Sequence, residues 1–457
     1  MADIETYDVV IIGGGSGLTA AYYAEKDGRS IALISDQPDA LGGTCVNHGC
    51  IPTKTLIETA RVADTIRAAA RVGIWVDKRS LRIDFARIMA HMRAERAQSA
   101  ASVRAWVEAS MTLVPERVRF VGDKLLETAS GRRITGKRIF IATGAQALIP
   151  PVDGLAKVGY LTNREVLELE RAPASLAIIG GGYIGAELGY FFAATGTAVT
   201  IVNPRTTLLA EDEDIGRRFT KSFGRRVRLA TGSAVAARFG ERDKILTIQT
   251  LDGRTEEIRA EAILVAAGRA PQTDGLELAA TGVEVDAQGA IRVDAHLATS
   301  HPEIYAYGDV IGTAPFKHTS STEGEIAYAN AFGADRAMDY RANPHAVFSA
   351  PEVAAVGLTE QSCRERGLYY RVFTLAYTDT AKGRIIGAED GFAKLILDAE
   401  DRILGCHILG PEAALLLHEV VVAMNAGGGQ ADVVRRAIHI HPSLSEIVGT
   451  LFDQSAS

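Results

Sequence analysis

A chain of 457 residues, 47% of them hydrophobic, can bury several cores, and its length sets an expectation of about three domains. A formal net charge of −7 and a pI near 5.9 exclude the basic face that a nucleic-acid partner or an anionic membrane needs. The acidic start, Met1 to Asp8, is neither a secretory signal nor an Arg-rich transit peptide, and four cysteines in so long a chain fit a reducing compartment. The expected location is cytoplasmic.

The first elements read as a strand over Tyr7–Ile12, a turn Gly13-Gly14-Gly15-Ser16-Gly17, a helix over Leu18–Lys26 and a strand over Ser30–Ser35 ending beside Asp36. Glycines let a backbone approach a pyrophosphate, the helix N-terminus adds partial positive charge, and a carboxylate after the second strand can hold a ribose diol. The pattern has one blemish. The third glycine stands at Gly17, one place early, with Leu18 where the pattern expects it, so the helix start must pack slightly differently.

Next comes Gly42-Gly43-Thr44-Cys45-Val46-Asn47-His48-Gly49-Cys50-Ile51-Pro52-Thr53-Lys54. Cys50 opens an expected helix, with Pro52 just inside it and Lys54 one turn on, so helix dipole and lysine both favour a reactive thiolate. A static disulfide, a zinc half-site or two packed thiols are the alternatives. Zinc needs two more ligands, and Cys363 stands alone while Cys406 has only His407 beside it. A protonated His48 would also favour a thiolate; a neutral one would only pack.

Amphipathic helices are expected over Thr53–Arg71 and Phe85–Ser110, with a break at Asp77–Asp84, and then a run Arg138–Ile141 ending in Ala142-Thr143-Gly144. Leu176–Val202 is apolar enough to be mistaken for a membrane span, but its glycines and Glu187 suit a buried strand, turn and helix. Within it, Leu176–Ile179 leads into Gly180-Gly181-Gly182-Tyr183-Ile184-Gly185, the complete glycine pattern, followed by a helix through Ala194 and a strand Ala198–Val202. Asn203 then stands as far beyond Gly180 as Asp36 does beyond Gly13. Two dinucleotide sites are expected.

A run Ala262–Ala266 ends in Ala267-Gly268-Arg269, and after Pro271 a short strand Ile304–Ala306 leads to Tyr307-Gly308-Asp309 and a helix over Ser321–Phe332. From about Asn343, strands at Val372–Tyr377, Ala393–Leu397 and Ile403–Leu409 alternate with helices at Ala413–Asn425 and Ala431–Ala437. The chain closes on His439-Ile440-His441-Pro442-Ser443-Leu444-Ser445-Glu446. A carboxylate five residues beyond His441 can fix its tautomer and raise its basicity, as a proton shuttle for thiol chemistry requires, and no other histidine has so good a local arrangement.

These ordered motifs, GGTCVNHGCIPTK, GGGYIGAELG, AAGR, YAYGD and HPSLSE, resemble the flavoprotein pyridine nucleotide–disulfide oxidoreductases over essentially the whole chain. The resemblance implies an α/β fold of two Rossmann-like nucleotide-binding domains and an α+β C-terminal dimerisation domain. FAD would take 1–148 and 272–342, NAD or NADP 149–271, and the dimer interface 343–457. It implies that Cys50 faces the flavin, that Cys45 exchanges with a dithiol or disulfide substrate, and that Lys54 pairs with Glu187. His441 with Glu446 would serve the active site of the other subunit in a homodimer.

Cofactor-binding residues would be Gly13, Gly15, Gly17, Asp36, Gly43, Thr44, Lys54, Thr143, Gly144, Asp309, Gly180, Gly182, Tyr183, Gly185, Asn203, Arg205 and Gly268. Tyr183 would act as a movable lid where nicotinamide stacks, unless it only packs. The tail, Lys317-His318 and Glu323-Gly324 resemble dihydrolipoyl dehydrogenases, which implies a lipoyl carrier protein as partner. Asn203 stands where that group has a glutamate, and Arg205 could meet a 2′-phosphate, so NADP is expected at least to be tolerated. Two other readings stay open: an NADPH-dependent reductase of another disulfide, a metal ion or a reactive species, and a non-catalytic FAD-binding subunit.

Overall fold

The computed structural model describes residues 3–77 and 80–456; the start of the N-terminal stretch and part of the break expected at 77–84 lie outside them. The chain forms two compact units. One comprises the chain up to Thr55 with Arg87–Leu148 and Gly268–Met338; the other comprises Leu56–Ala86, Ile149–Ala267 and the chain from Asp339.

In the first unit, strands Thr112–Val114, Ile31–Ile34, Ile4–Ile12, Arg133–Ile141 and Ile304–Ala306 pair in parallel in that order. Val9, Val10, Ile11 and Ile12 are buried, as are all residues of Ile31–Ile34, which is the continuous apolar pattern of a sheet covered on both faces. Arg133–Ile141 is longer than its apolar run Arg138–Ile141. Its first half alternates buried and part-exposed residues, so only half of it carried the buried-strand pattern.

In the second unit, Ala262–Val265, Ser175–Ile179, Ala198–Asn203 and Arg228–Phe239 form a parallel set, extended by the antiparallel strands Lys244–Thr250 and Thr255–Ala260. The apolar window Leu176–Val202 is therefore strand, glycine turn, helix Tyr183–Thr195 and strand. Among the described residues no helix is long and apolar enough to cross a membrane. A separate antiparallel sheet has the order Pro344–Val347, Val353–Gly357, Ile403–Leu409, Phe392–Leu397, Arg371–Ala376, with the helix Ala413–Asn425 packed on it.

Several elements differ from expectation at their ends. The helix Cys50–Ala68 opens on Cys50, the start expected from the cysteine stretch although the periodicity begins only at Thr53, and ends at Ala68, three residues before the expected Arg71. Lys317–Ala331 also starts early, because its first turn, Lys-His-Thr-Ser, has no apolar periodicity to announce it. The helix expected at Ala431–Ala437 is one short turn, Asp432–Arg435.

Candidate active site

Gly13 takes φ +120°, and a Cβ there would lie 2.2 Å from the Ala142 carbonyl oxygen. Only glycine fits. A Cβ on Gly15 would come within 3.2 Å of the Gly43 Cα, and the Gly42 amide donates to the Gly14 carbonyl at 2.8 Å. The first dinucleotide turn is thus in direct backbone contact with the redox stretch. Gly17 is the cap residue of helix Leu18–Lys26 and brings no side chain to its start, while the third amide of that helix, Ala20, donates to the Tyr307 hydroxyl at 3.3 Å. Thr143 and Gly144 lie between the strand Arg133–Ile141 and the antiparallel pair Ala145–Ala147 and Arg269–Pro271: Thr143 Oγ1 donates to the Gln272 carbonyl at 2.6 Å and the Gln272 amide to the Gly144 carbonyl at 2.9 Å. Asp36 accepts from Arg117 Nε at 3.0 Å, a partner that lies far off in sequence.

Cys45 sits within a short helix, Gly43–Asn47, that no sequence pattern announces, and His48-Gly49 breaks it from Cys50–Ala68. The buried Asn47 amide fixes that helix by donating to the carbonyls of Ala40, Leu41 and Gly43 at 3.0, 2.9 and 3.0 Å. Both cysteines are half-buried free thiols within hydrogen-bond reach of each other. The bond with Cys50 pushes the Cys45 thiol far up, with burial and the charge of Cys50 adding to the shift, while the ammonium groups of Lys317 and Lys54 oppose it. The pair therefore loses its protons in sequence. Cys50 stands at the positive end of its helix, where the dipole favours a thiolate.

Three residues bracing this stretch were not singled out for it by sequence. Lys317 acts on Cys45 from the start of helix Lys317–Ala331 and donates to Ser321 Oγ at 2.6 Å. Arg269 donates to Thr44 Oγ1 at 3.3 Å and to the Ala145 carbonyl, and lies 3.3 Å from Asp309 Oδ2. Glu323, fully buried, accepts from the Gly308 amide at 2.7 Å and so fixes the turn Gly308–Ile311 that carries Asp309. Glu323 and Lys317 had a signal only in the motif resemblance. Gly268, at φ +127°, accepts from the Leu148 amide and packs with this unit.

The second turn repeats the first. Gly180 has φ +117°, and a Cβ would meet the Ala266 carbonyl oxygen at 2.2 Å. Nothing lies within 4 Å of a Cβ on Gly182, and no side-chain cap closes the start of the helix Tyr183–Thr195, the end that favours a phosphate. Gly185 and Glu187 are buried in that helix, and Glu187 accepts from the Phe348 amide at 3.0 Å. Asn203, 6% exposed, spends its amide on the loop, donating to the carbonyls of Arg205 and Thr207 at 2.7 and 2.8 Å. That leaves Arg205 exposed beside an uncharged strand end.

His441 Nδ1 lies 2.8 Å from Glu446 Oε1, and the imidazole holds that carboxyl below the usual range. Beside this local pair, folding gives other histidines carboxylate partners that no local pattern shows. His439 pairs with Glu419 at 2.8 Å, His345 with Glu211 at 2.9 Å and His301 with Asp123 at 3.0 Å. Their partners are remote in sequence, so only folding reveals them. What separates His441 is exposure: 70%, against 14%, 22% and 9% for those three side chains.

Residues 7–329 match the family model for pyridine nucleotide-disulphide oxidoreductases, and residues 343–452 match the dimerisation domain of the same family. The chain belongs to this family. It is 33% identical over 448 residues to dihydrolipoyl dehydrogenase of Bacillus subtilis, covering 96% of both chains, and 32% identical over 431 residues to mercuric reductase of Bacillus cereus, covering 92% of this chain and 67% of that one. Among solved structures it is similar to the Cu(II) complex of the HOCl-induced flavoprotein disulfide reductase RclA from Escherichia coli, with TM-score 0.87, 30% identity and coverage of 98% and 99%. As a member of the pyridine nucleotide-disulphide oxidoreductases, the protein is an FAD-dependent, NAD(P)-linked disulfide oxidoreductase. The two cradles, each closed to any side chain at its first glycine, fit the two dinucleotides.

Proposed function

We propose that the protein cycles Cys45 and Cys50 between dithiol and disulfide, in the manner of a dihydrolipoyl dehydrogenase acting on a lipoyl group of a carrier protein. The carrying observation is the half-buried thiol pair, one sulfur at a helix start and the other held protonated by it. In this reading 1–148 and 272–342 hold FAD, 149–271 hold NAD(P)H, and 343–457 join two copies in a cytoplasmic homodimer. Gly13, Gly15, Gly17, Asp36 and Asp309 hold FAD, with Lys54 near its ring. Gly180, Gly182, Gly185 and Arg205 hold the nicotinamide nucleotide, and Asn203 shapes the loop that carries Arg205.

When bound, FAD converts a hydride into an electron pair that a disulfide can accept. In the reductive direction Cys45 attacks a substrate disulfide, forming a mixed disulfide and releasing one thiol. The Cys50 thiolate then attacks Cys45 Sγ, closing the internal disulfide and expelling the second thiol. His441, oriented by Glu446, carries the protons and serves the partner subunit's site. The oxidative direction runs these steps backwards.

A second reading, an NADPH-linked reductase of a metal ion or reactive species, is supported by the likeness to RclA, solved with Cu(II), and by the uncharged strand end at Asn203 beside Arg205. Anaerobic stopped-flow reduction by NADH and NADPH, then re-oxidation by lipoamide, glutathione disulfide and Cu(II), separates the readings. Rapid re-oxidation by lipoamide is expected. Inertness to lipoamide with turnover of Cu(II) would transfer the assignment to the second reading, and inertness to all three would leave a non-catalytic subunit.

A further inference from the structure

Across the antiparallel sheet of the second unit, His345 pairs in register with Ala355, Ala355 with His407, and His407 with Lys394. Register partners share a face, so three basic side chains stand in one row. The acidic run Glu211-Asp212-Glu213-Asp214, at the start of helix Glu213–Phe223, meets that row. Lys394, 1% exposed, lies 2.8 Å from Asp212, 2.7 Å from Asp214 and 2.6 Å from Glu360. His407 spends Nε2 on the Leu358 carbonyl at 3.0 Å, and burial keeps it neutral. Those contacts explain one end of the row as an anchor.

The other end does something different. Glu211, with its side chain 1% exposed, lies 3.0 and 2.9 Å from His345 Nε2 through its two oxygens, and it also accepts from the Tyr183 phenol. Burial alone would push this carboxyl up, yet its bonds to His345 and Tyr183 hold it below the usual range. The Tyr183 ring stacks on the His345 imidazole at 5.8 Å between centroids and 23° between planes. Tyr183 is the first residue of the helix that opens on the second glycine turn, beside the open space at Gly182. Its ring is therefore held on its face by His345 and at its hydroxyl by Glu211.

We propose that Glu211 and His345 are positioning residues for Tyr183, latching its ring beside the second dinucleotide turn so that admission of nicotinamide requires breaking the Tyr183–Glu211 hydrogen bond. The latch rests on the reading that this turn takes NAD(P)H. It assigns a task to two residues, far apart in the chain, that carry no motif. It also makes Tyr183 a tethered lid and not a freely swinging one.

The test uses the FAD-loaded protein and the better of NADH and NADPH. Glu211→Gln keeps the shape and removes the charge; Tyr183→Phe keeps the ring and removes the hydroxyl. Each is expected to lower KM for the nicotinamide nucleotide by about 3- to 10-fold, the worth of one hydrogen bond, with a smaller change in kcat. The double variant is expected to go no further than Tyr183→Phe, because Glu211→Gln weakens the same bond that Tyr183→Phe removes. A residue that only supports the fold would act equally with Tyr183 or with Tyr183→Phe. Effects that add, or a KM unchanged or raised, overturn the latch. Should Glu211→Gln fail to fold, Tyr183→Phe decides alone, since it leaves the buried carboxylate and its imidazole in place. Wild-type protein reduced by neither nucleotide would overturn the assignment of the turn itself, whereas normal reduction with additive variants removes the latch only.

Discussion

At Gly13 and at Gly180 an added Cβ would meet the same atoms at the same distances: a carbonyl oxygen at 2.2 Å and its carbon at 2.6 Å, from Ala142 in one unit and Ala266 in the other. Each first glycine is squeezed by the end of the parallel neighbouring strand. Past this point the two turns diverge. The helix begins at Leu18 in the first and at Tyr183 in the second, two residues sooner after its first glycine. The early third glycine at Gly17 is explained by that delay. A Cβ on Gly17 would strike the Gly13 carbonyl oxygen at 2.2 Å, and one on Gly185 would strike the Gly180 oxygen at 2.1 Å, so both glycines relieve the same contact from different positions. The strand ends differ in charge, a carboxylate paired with Arg117 at Asp36 and a neutral amide braced into its own loop at Asn203. Parallel strand pairing dictates the turn, while the side chains beyond it are free to select the nucleotide.

The sharpest break in this symmetry is chemical, since the first turn is bonded to the stretch that carries the thiol pair. Cys50→Ser should cut lipoamide or disulfide turnover by about a thousandfold or more, while reduction of the bound flavin by NAD(P)H persists; loss of both together would mean the sulfur supports FAD binding instead. Alanine at the first glycines probes the two cradles separately. Gly13→Ala should yield protein without FAD, read by its visible absorbance, whereas Gly180→Ala should keep FAD and raise KM for NAD(P)H by at least about tenfold. Equal loss of FAD in both variants would contradict separate cradles.

At the strand ends, Asn203→Glu should move the NADPH-to-NADH ratio of kcat/KM towards NADH by about tenfold, because a carboxylate repels a 2′-phosphate. An unchanged ratio would remove Asn203 and its loop from cofactor choice. The smallest effect is expected at Arg117. Its side chain is 83% exposed, so Arg117→Ala should change FAD affinity by no more than a few-fold, while Asp36→Asn weakens it by about tenfold, both read by FAD titration of apoprotein. Equal effects would make the ion pair, and not the ribose contact, the task of Asp36.

Much of the fold was legible because its signals are local. Helices Leu18–Lys26, Phe85–Ser110 and Ala413–Asn425 have the bounds that periodicity and punctuation indicate. The strand Arg133–Ile141 was half hidden by alternation, and the start of Lys317–Ala331 by a polar first turn. The short helix carrying Cys45 could not be read, since five residues are too few for a period and its fixing contacts come from Asn47 to neighbouring carbonyls.

What the sequence determined by itself were features whose parts lie within one turn or one motif: two glycine cradles, a cysteine pair at a helix start, and a histidine with its carboxylate five residues on. Tertiary structure alone decided which distant groups act on them. Lys317 reaches the field of Cys45, Arg269 ties Thr44 to Asp309, and Glu211 with His345 clasps Tyr183. The physical reason is range. Backbone conformation and helix dipoles act over a few residues of chain, whereas hydrogen bonds and charges act over a few ångströms of space, and only the pairing of strands turns the second distance into a fact about the first.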